Sequence, residues 1–221
     1  MDSTDNADSR RLWKWYAALI APFLLNDFGN IYVHDFLAWL AIDFVFVKAF
    51  PILVIIYLFR SRLVSLDDIG LRKISVGRFV FWTITMAVIG YCITRFGSMF
   101  LYTLIPVGPI GHIPWDVHSI FSTIDLYFGL LLVGLVEELI YRGLTFTILR
   151  KSGFSIATTF VVSSLLFGLI HWSFGLVQFV VAAIFGAVYM LYRWKSGTIT
   201  PLIFAHFAVD YVIFSGIITG R

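Results

Sequence analysis

Long apolar runs alternate with short polar connections along this chain, and within each run the apolar residues are continuous. The strands of a membrane barrel would be about ten residues long with a period of two. These runs are about twice that length and apolar on every side, which predicts helices that cross a bilayer. We place seven, near Trp15–Leu25, Phe36–Phe59, Phe79–Ile105, Ile124–Leu149, Ser155–Trp172, Leu176–Trp194 and Ile199–Ile218, with ends good to about four residues. Pro51 interrupts the second run and Pro106 bounds the third. The expected fold is an all-α polytopic transmembrane helical bundle of about seven spans (six to eight), with residues 1–221 forming a single integral membrane domain. Residues 1–11 read as a flexible polar N-terminus. The first run meets Asn26 and Asp27 in place of a small-residue cleavage site, so it reads as a signal anchor.

Composition sharpens this picture. The chain is 60% hydrophobic and 13% charged, against about 45–50% and about 25% for an ordinary soluble domain, which excludes a soluble fold. A net charge of +3 would suggest an anionic partner in a soluble protein. Here Arg10, Arg11, Lys14, Arg60, Arg62, Arg72, Lys73, Arg78, Arg150, Lys151, Arg193 and Lys195 fall in one alternating set of loops, and only Arg221 in the other. That asymmetry predicts the N-terminus inside and the 106–119 loop on the far side. It accounts for the basic excess without a nucleic-acid partner. Trp15, Trp82, Trp115, Trp172 and Trp194 lie near span ends, as an interfacial belt requires. The lone Cys92 excludes an internal disulfide. Gly129, Gly134, Gly168 and Gly186 lie within spans, where they would let neighbouring backbones approach.

Ionisable groups inside a span cost about 2.5–3.5 kcal/mol or more at the helix centre, so those present need a reason. The two glutamates of the chain, Glu137 and Glu138, are adjacent within the fourth run. Glu138 and Arg142 are four apart and share a helix face, which predicts a neutralising pair. Glu137, about 100° away around the helix, remains uncompensated and free to face a wet cavity. The fifth run ends Phe167-Gly-Leu-Ile-His171, and the seventh contains His206 and Asp210 on one face. At about 1.5 Å per residue, Glu137, His171, His206 and Asp210 lie roughly 18, 24, 10 and 16 Å above the cytoplasmic ends of their spans. They therefore converge in one layer and form the candidate catalytic set, with Glu138, Arg142 and Phe167 supporting it. Interhelical glue, worth about 0.6 kcal/mol per hydrogen bond, is a poor return on their cost.

Other polar groups receive structural readings. Asp43 and Lys48 pair loosely, Arg95 finds Asp43 or Asp27, and Asp125 caps or enters the fourth helix. His112, Asp116 and His118 belong to a solvated loop, and Tyr141 is a core aromatic within reach of Glu137. Ser163 and Ser164 lack a nucleophile-elbow context and read as packing serines. Leu66-Asp-Asp-Ile-Gly-Leu-Arg-Lys73 reads as a surface turn with a short amphipathic stretch.

Three motifs stand in order: Glu-Glu-x-x-x-Arg at 137–142, Phe-x-x-x-His at 167–171 and His-x-x-x-Asp at 206–210. Together they resemble the CPBP or Abi family of CAAX-protease and bacteriocin-processing glutamic intramembrane proteases, to which the type II CAAX prenyl endopeptidase belongs. The resemblance covers a motif-bearing core at 124–218, and Leu66–Leu71 is similar to the segment that often precedes it. It implies that Glu137 and His171 activate a water for attack on a peptide carbonyl, while His206 and residue 210 stabilise the oxyanion, with no cofactor and no metal. Its members commonly carry Asn at the last position. An ionised Asp210 cannot donate to an oxyanion, so it either is protonated or orients His206. The expected partners are a peptide or protein substrate in the membrane and the lipid bilayer. The expected location is a prokaryotic cytoplasmic membrane. Two alternatives stand beside this reading: a non-catalytic bacteriocin-immunity or scaffold protein, and a zinc-dependent protease using the same residues.

Overall fold

A computed structural model describes residues 3–218, with side chains placed for 9–216. Among these residues there are helices and no strand. The helices are α1 (Ser3–Tyr32), α2 (Phe36–Arg60), α3 (Leu66–Ile69), α4 (Val76–Leu104), α5 (Ile120–Lys151), α6 (Ile156–Leu169), α7 (Gly175–Ser196) and α8 (Thr200–Ile218), with a 3₁₀ turn at Trp172–Phe174. The seven long helices coincide with the seven runs, and α3 is an addition within the basic connection. Among the described residues, four helices are long and apolar enough to cross a membrane by length and composition: Phe36–Arg60, Val76–Leu104, Ile120–Lys151 and Trp172–Ser196. Ile156–Leu169 and Thr200–Gly216 are shorter apolar helices, and α1 is not in either group. Met1 and Asp2, the start of the segment expected to be flexible, lie outside the described residues, as does Arg221; α1 is helical from Ser3.

Helix ends follow local chemistry. Asp35 caps α2 by accepting the Ala38 amide at 2.8 Å, and Ser155 caps α6 by accepting that of Thr158 at 3.0 Å. Ser65 and Asp68 form a capping box around α3. Asp125, expected to cap or enter the fourth helix, lies inside α5, because the hydroxyl of Ser119, six residues earlier, takes the capping role.

Hydrogen bonds between connections define the two ends of the bundle. At one end, Lys151 reaches Asp68 at 3.1 Å, Arg193 donates to the Asp68 carbonyl at 2.8 Å, and the Ile199 amide donates to Gly70 O at 2.9 Å. Ile69 is fully buried there while Leu66 and Asp67 stay exposed, so the 66–71 segment is a surface turn docked as a clasp through one side chain. At the other end, the amides of Ile110 and Gly111 both donate to Ser173 O, and that of His112 to Asn30 O. The basic connections 60–78, 150–155 and 193–199 thus share one end, and the 105–119 loop lies at the opposite one. His112 and Asp116 shape that loop through backbone bonds, as a structural reading expects.

Close helix contacts use glycine where backbones meet. A Cβ on Gly134 would lie 2.9 Å from Ile203 O, so α5 and α8 touch backbone to backbone, and one on Gly168 would lie 2.6 Å from Phe179 O. Gly186 accommodates the Phe167 side chain. Gly129 serves a different purpose from the one expected: the space its Cβ would fill holds the Asp125 carboxylate of its own helix.

Candidate active site

Four short π-helical segments interrupt the long helices: Phe44–Ala49 in α2, Ile93–Gly97 in α4, and Asp125–Gly129 and Glu138–Leu144 in α5. Each widened turn carries charged side chains, Lys48, Arg95, Asp125, and Glu138 with Arg142. π-bulges recur at functional positions, and here the first three contribute lining residues to one cavity, while the fourth begins directly after Glu137, which also lines it.

Glu138 and Arg142 form the expected ion pair, 3.1 Å apart with neither side chain exposed. The guanidinium lies over the Phe167 ring, its Cζ 3.8 Å from the centroid, with Phe185 and Tyr189 at 5.7 and 5.5 Å. This aromatic box supplies cation–π stabilisation where hydrogen-bond acceptors are lacking. Phe167 also packs against the rings of Tyr141, His171, Phe185 and His206, which makes it the hub on which the motifs meet.

Glu138 does more than pair with Arg142. Its Oε1 lies 2.9 Å from His206 Nδ1. A carboxylate only accepts, so Nδ1 carries a proton and donates it, and Nε2 is the nitrogen that faces the cavity. There Nε2 is 3.5 Å from Asp210 Oδ2 and 3.7 Å from Glu137 Oε2, too long for good hydrogen bonds. Glu137 Oε2 is buried without a hydrogen-bond partner. His171, just past the end of α6, donates Nδ1–H to the Phe167 carbonyl at 2.9 Å, which frees its Nε2 as an acceptor.

Glu137, His171, His206 and Asp210 all line one cavity of about 570 Å³, within the range typical of ligand sites. The structure therefore brings together the four residues predicted from three separate runs. Tyr141 is a fully buried core aromatic whose hydroxyl has no partner, so it does not reach Glu137. Ser163 and Ser164 bond to the Tyr141 and Phe160 carbonyls as packing serines. Among the described residues, no group of three or more His, Cys, Asp or Glu side chains is arranged to hold a metal ion.

The cavity continues toward the 105–119 loop, where two polar networks close it. Lys48 is buried between Asp43 and Asp125, in contact with the first and 3.5 Å from the second. The pairing with Asp43 was expected; the bridge to Asp125 was not, because Asp125 resembled a cap. Asp27 accepts the Ser173 amide at 2.8 Å and the Asn30 side chain at 3.2 Å, and Trp39 donates to Asn30 at 2.8 Å. This network ties α1 to the turn that presents His171. Neither carboxylate meets Arg95, which was expected to find one of them.

An apolar helical bundle with buried carboxylates and imidazoles lining an internal cavity is that of an integral membrane protein. Residues 119–212 match the family model described as Rce1-like, type II CAAX prenyl endopeptidase Rce1-like, in agreement with the resemblance carried by the three motifs. The matched segment contains all four cavity residues of the candidate catalytic set. No curated protein and no solved structure matches the chain.

Proposed function

We propose that this protein is an intramembrane endopeptidase of the glutamic type, cutting a peptide bond of a membrane-associated or C-terminally anchored substrate. The carrying observation is Glu137: a buried carboxylate with an unpartnered oxygen, lining a cavity shared with two imidazoles whose outer nitrogens are already committed. Nothing about helix packing requires such an arrangement, and a cost of several kcal/mol stands against it otherwise.

In this mechanism a water lies between Glu137 and His171 Nε2. Glu137 accepts its proton as the oxygen attacks the scissile carbonyl carbon, and the carbonyl oxygen becomes the oxyanion. His206, as an imidazolium with Glu138 on Nδ1 and the Glu137 and Asp210 carboxylates near Nε2, donates Nε2–H to that oxyanion, held in direction by the Nδ1 bond to Glu138. Collapse of the tetrahedral intermediate breaks the C–N bond, and the proton held by Glu137 passes to the leaving amine. The chemistry draws on this chain's side chains alone. Asp210 stands beside Nε2, and Glu138 fills the orienting role that Asp210 would otherwise have.

The test is Glu137→Gln, which keeps the volume and removes the base. Purified in detergent and assayed against a quenched-fluorescent panel of prenylated and unprenylated C-terminal peptides, it should lose at least about 10²–10⁴-fold in turnover while its thermal stability stays near wild type. Turnover undiminished in that variant would overturn the glutamic mechanism. Turnover abolished by EDTA and restored by zinc would favour a metal route instead.

A further inference from the structure

Within the candidate catalytic set, Glu137, His206 and Asp210 sit inside helices, where the backbone ladder fixes them, and His171 does not. It lies two residues beyond Leu169, the last residue of α6, and directly before the 3₁₀ turn Trp172–Phe174. Where its imidazole points is therefore decided by whatever holds that turn. The hold is on Ser173, which is fully buried with amide, hydroxyl and carbonyl all engaged. The amide donates to Asp27 Oδ2 at 2.8 Å, the hydroxyl accepts from Asn30 Nδ2 at 3.0 Å, and the carbonyl accepts the amides of Ile110 and Gly111 at 2.9 and 2.8 Å. Trp172 beside it donates Nε1–H to Leu24 O at 3.3 Å. Asp27, Asn30 and Leu24 all belong to α1, which lies outside the matched segment 119–212.

Asp27 and Asn30 are each 3% exposed and form one unit with matched donors and acceptors. Asp27 offers one carboxylate oxygen to each of two donors, Oδ2 to the Ser173 amide and Oδ1 to Asn30 Nδ2 at 3.2 Å. Asn30 directs Nδ2 at both Asp27 and Ser173, and its Oδ1 accepts from Trp39 Nε1 at 2.8 Å. An amide at position 27 alone would present one acceptor to two donors, and a carboxylate at position 30 alone would remove the donor that faces Asp27. The far loop seats on the same unit: the His112 amide donates to Asn30 O at 2.8 Å, and a Cβ on Gly111 would lie 2.7 Å from that carbonyl. Helix packing does not require this. Both donors to Asp27 are neutral, so a carboxylate is buried here at a cost that apolar contact would avoid. What the unit achieves is a fixed place for the residue two positions after His171.

We propose that Asp27 and Asn30 are positioning residues for His171. Acting through Ser173, they hold the turn so that the Nδ1–H bond to Phe167 O persists and Nε2 stays turned to the attacking water. This rests on the proteolytic reading, and it makes α1 a working part of the site whose reacting groups all come from 119–212. Neither residue takes part in the bond changes, so their loss slows the chemical step and leaves substrate binding alone.

The test compares purified full-length wild type with Asp27→Asn, with Asn30→Asp and with the double variant carrying both changes. In the double variant the pattern closes again with its roles exchanged. The amide at position 27 accepts from the Ser173 amide and donates to the carboxylate at position 30, which also accepts from Trp39 Nε1 and from the Ser173 hydroxyl. Each single variant should lower kcat at least about tenfold, as loss of an orienting shell does, with KM within about twofold of wild type. The double variant should recover most of that loss. A second readout needs no turnover: nitrogen NMR of the histidine rings, with the His171 signals assigned by their loss in His171→Ala. His171 should hold the Nδ1–H tautomer in wild type and in the double variant, and lose it to a tautomer mixture in each single variant, while the His206 signals stay unchanged. Where a single variant does not fold, Ser173→Ala takes its place, since it removes the Asn30 contact and leaves both backbone bonds; it should lower kcat at least about twofold and shift the same His171 signals. A double variant no better than the singles, a rise in KM at unchanged kcat, or His171 signals that no variant moves would overturn the proposal. If the proteolytic reading alone fails, neither wild type nor any variant cleaves a peptide while the His171 tautomer still follows the exchange. If the positioning proposal alone fails, cleavage continues in the single variants with kcat and the His171 tautomer as in wild type.

Discussion

His206 has one nitrogen committed and one free, and the commitment is to Glu138 at 2.9 Å. That single bond separates the roles of the two neighbouring acids, Glu138 and Asp210. Glu138→Gln should lower turnover about 10–100-fold, as loss of an orienting partner does, and should also destabilise the fold, because Arg142 keeps its charge in a fully buried site. Breaking a buried pair in this way costs about 3–5 kcal/mol. Asp210→Asn should stay within a few-fold of wild-type turnover, since an amide fits the same space, can donate to an oxyanion, and leaves the Nδ1 bond intact. Assays of both variants on folded protein check this ordering; a larger loss in Asp210→Asn than in Glu138→Gln would return the orienting role to Asp210. The pair Glu138–Arg142 was legible in the sequence because four-residue spacing is a local rule. The bond from Glu138 to His206 was not, since 68 residues separate them and only the mutual rotation of two helices decides it. The aromatic box around Arg142 was equally silent: Phe185 and Tyr189 look like ordinary packing residues until a guanidinium is found between their rings.

At the scale of elements, three of the four candidate residues, Glu137, His206 and Asp210, depend on the contact between α5 and α8. A Cβ on Gly134 would sit 2.9 Å from Ile203 O and 3.1 Å from Phe207 N, so neither neighbour is a flexible side chain that can move aside. Gly134→Ala should push α8 away and lower turnover by about 10²-fold, the scale expected for a catalytic group displaced by about 1 Å. A fall in turnover exceeding any fall in thermal stability is the outcome that checks it. The run lengths made these helices legible, and the composition made their number nearly so, because continuous hydrophobicity is what a bilayer requires of a helix. The π segments left no comparable mark, since an extra residue in a turn changes no hydrophobic pattern. The clasp at 66–71 is legible after the fact through its capping box. There the Asp68 carboxyl is partly buried, which opposes its charge, yet hydrogen bonds from Ser65 and the neighbouring Lys151 hold it below the ordinary carboxylate range. A lowered folded value means the stabilisation is complete above about pH 3.9, the unfolded Asp value, and is lost as pH falls through the folded one. Asp68→Asn should therefore unfold at a lower temperature than wild type at pH 7, by an amount matching a lost cap of about 0.5–2 kcal/mol, and the gap should close in acid. A gap that does not change with pH would show that the carboxylate's charge is not what holds the clasp.

For the whole molecule, the decisive feature is asymmetry between its two ends. The basic residues of the 60–78, 150–155 and 193–199 connections gather at one end, and the cavity lies toward the other, reaching Pro109, Ile113 and Trp115 of the far loop. Excess Lys and Arg mark the cytoplasmic face. In a Cys92→Ala background, Val117→Cys should thus be labelled by an impermeant maleimide added to intact cells, and Lys73→Cys only after the cells are opened. The reverse pattern would invert the orientation expected from the loop charges. For the proteolysis proposed above, a cavity that reaches the loop opposite the basic connections implies a substrate bond presented from that side or from within the bilayer, and a product released there.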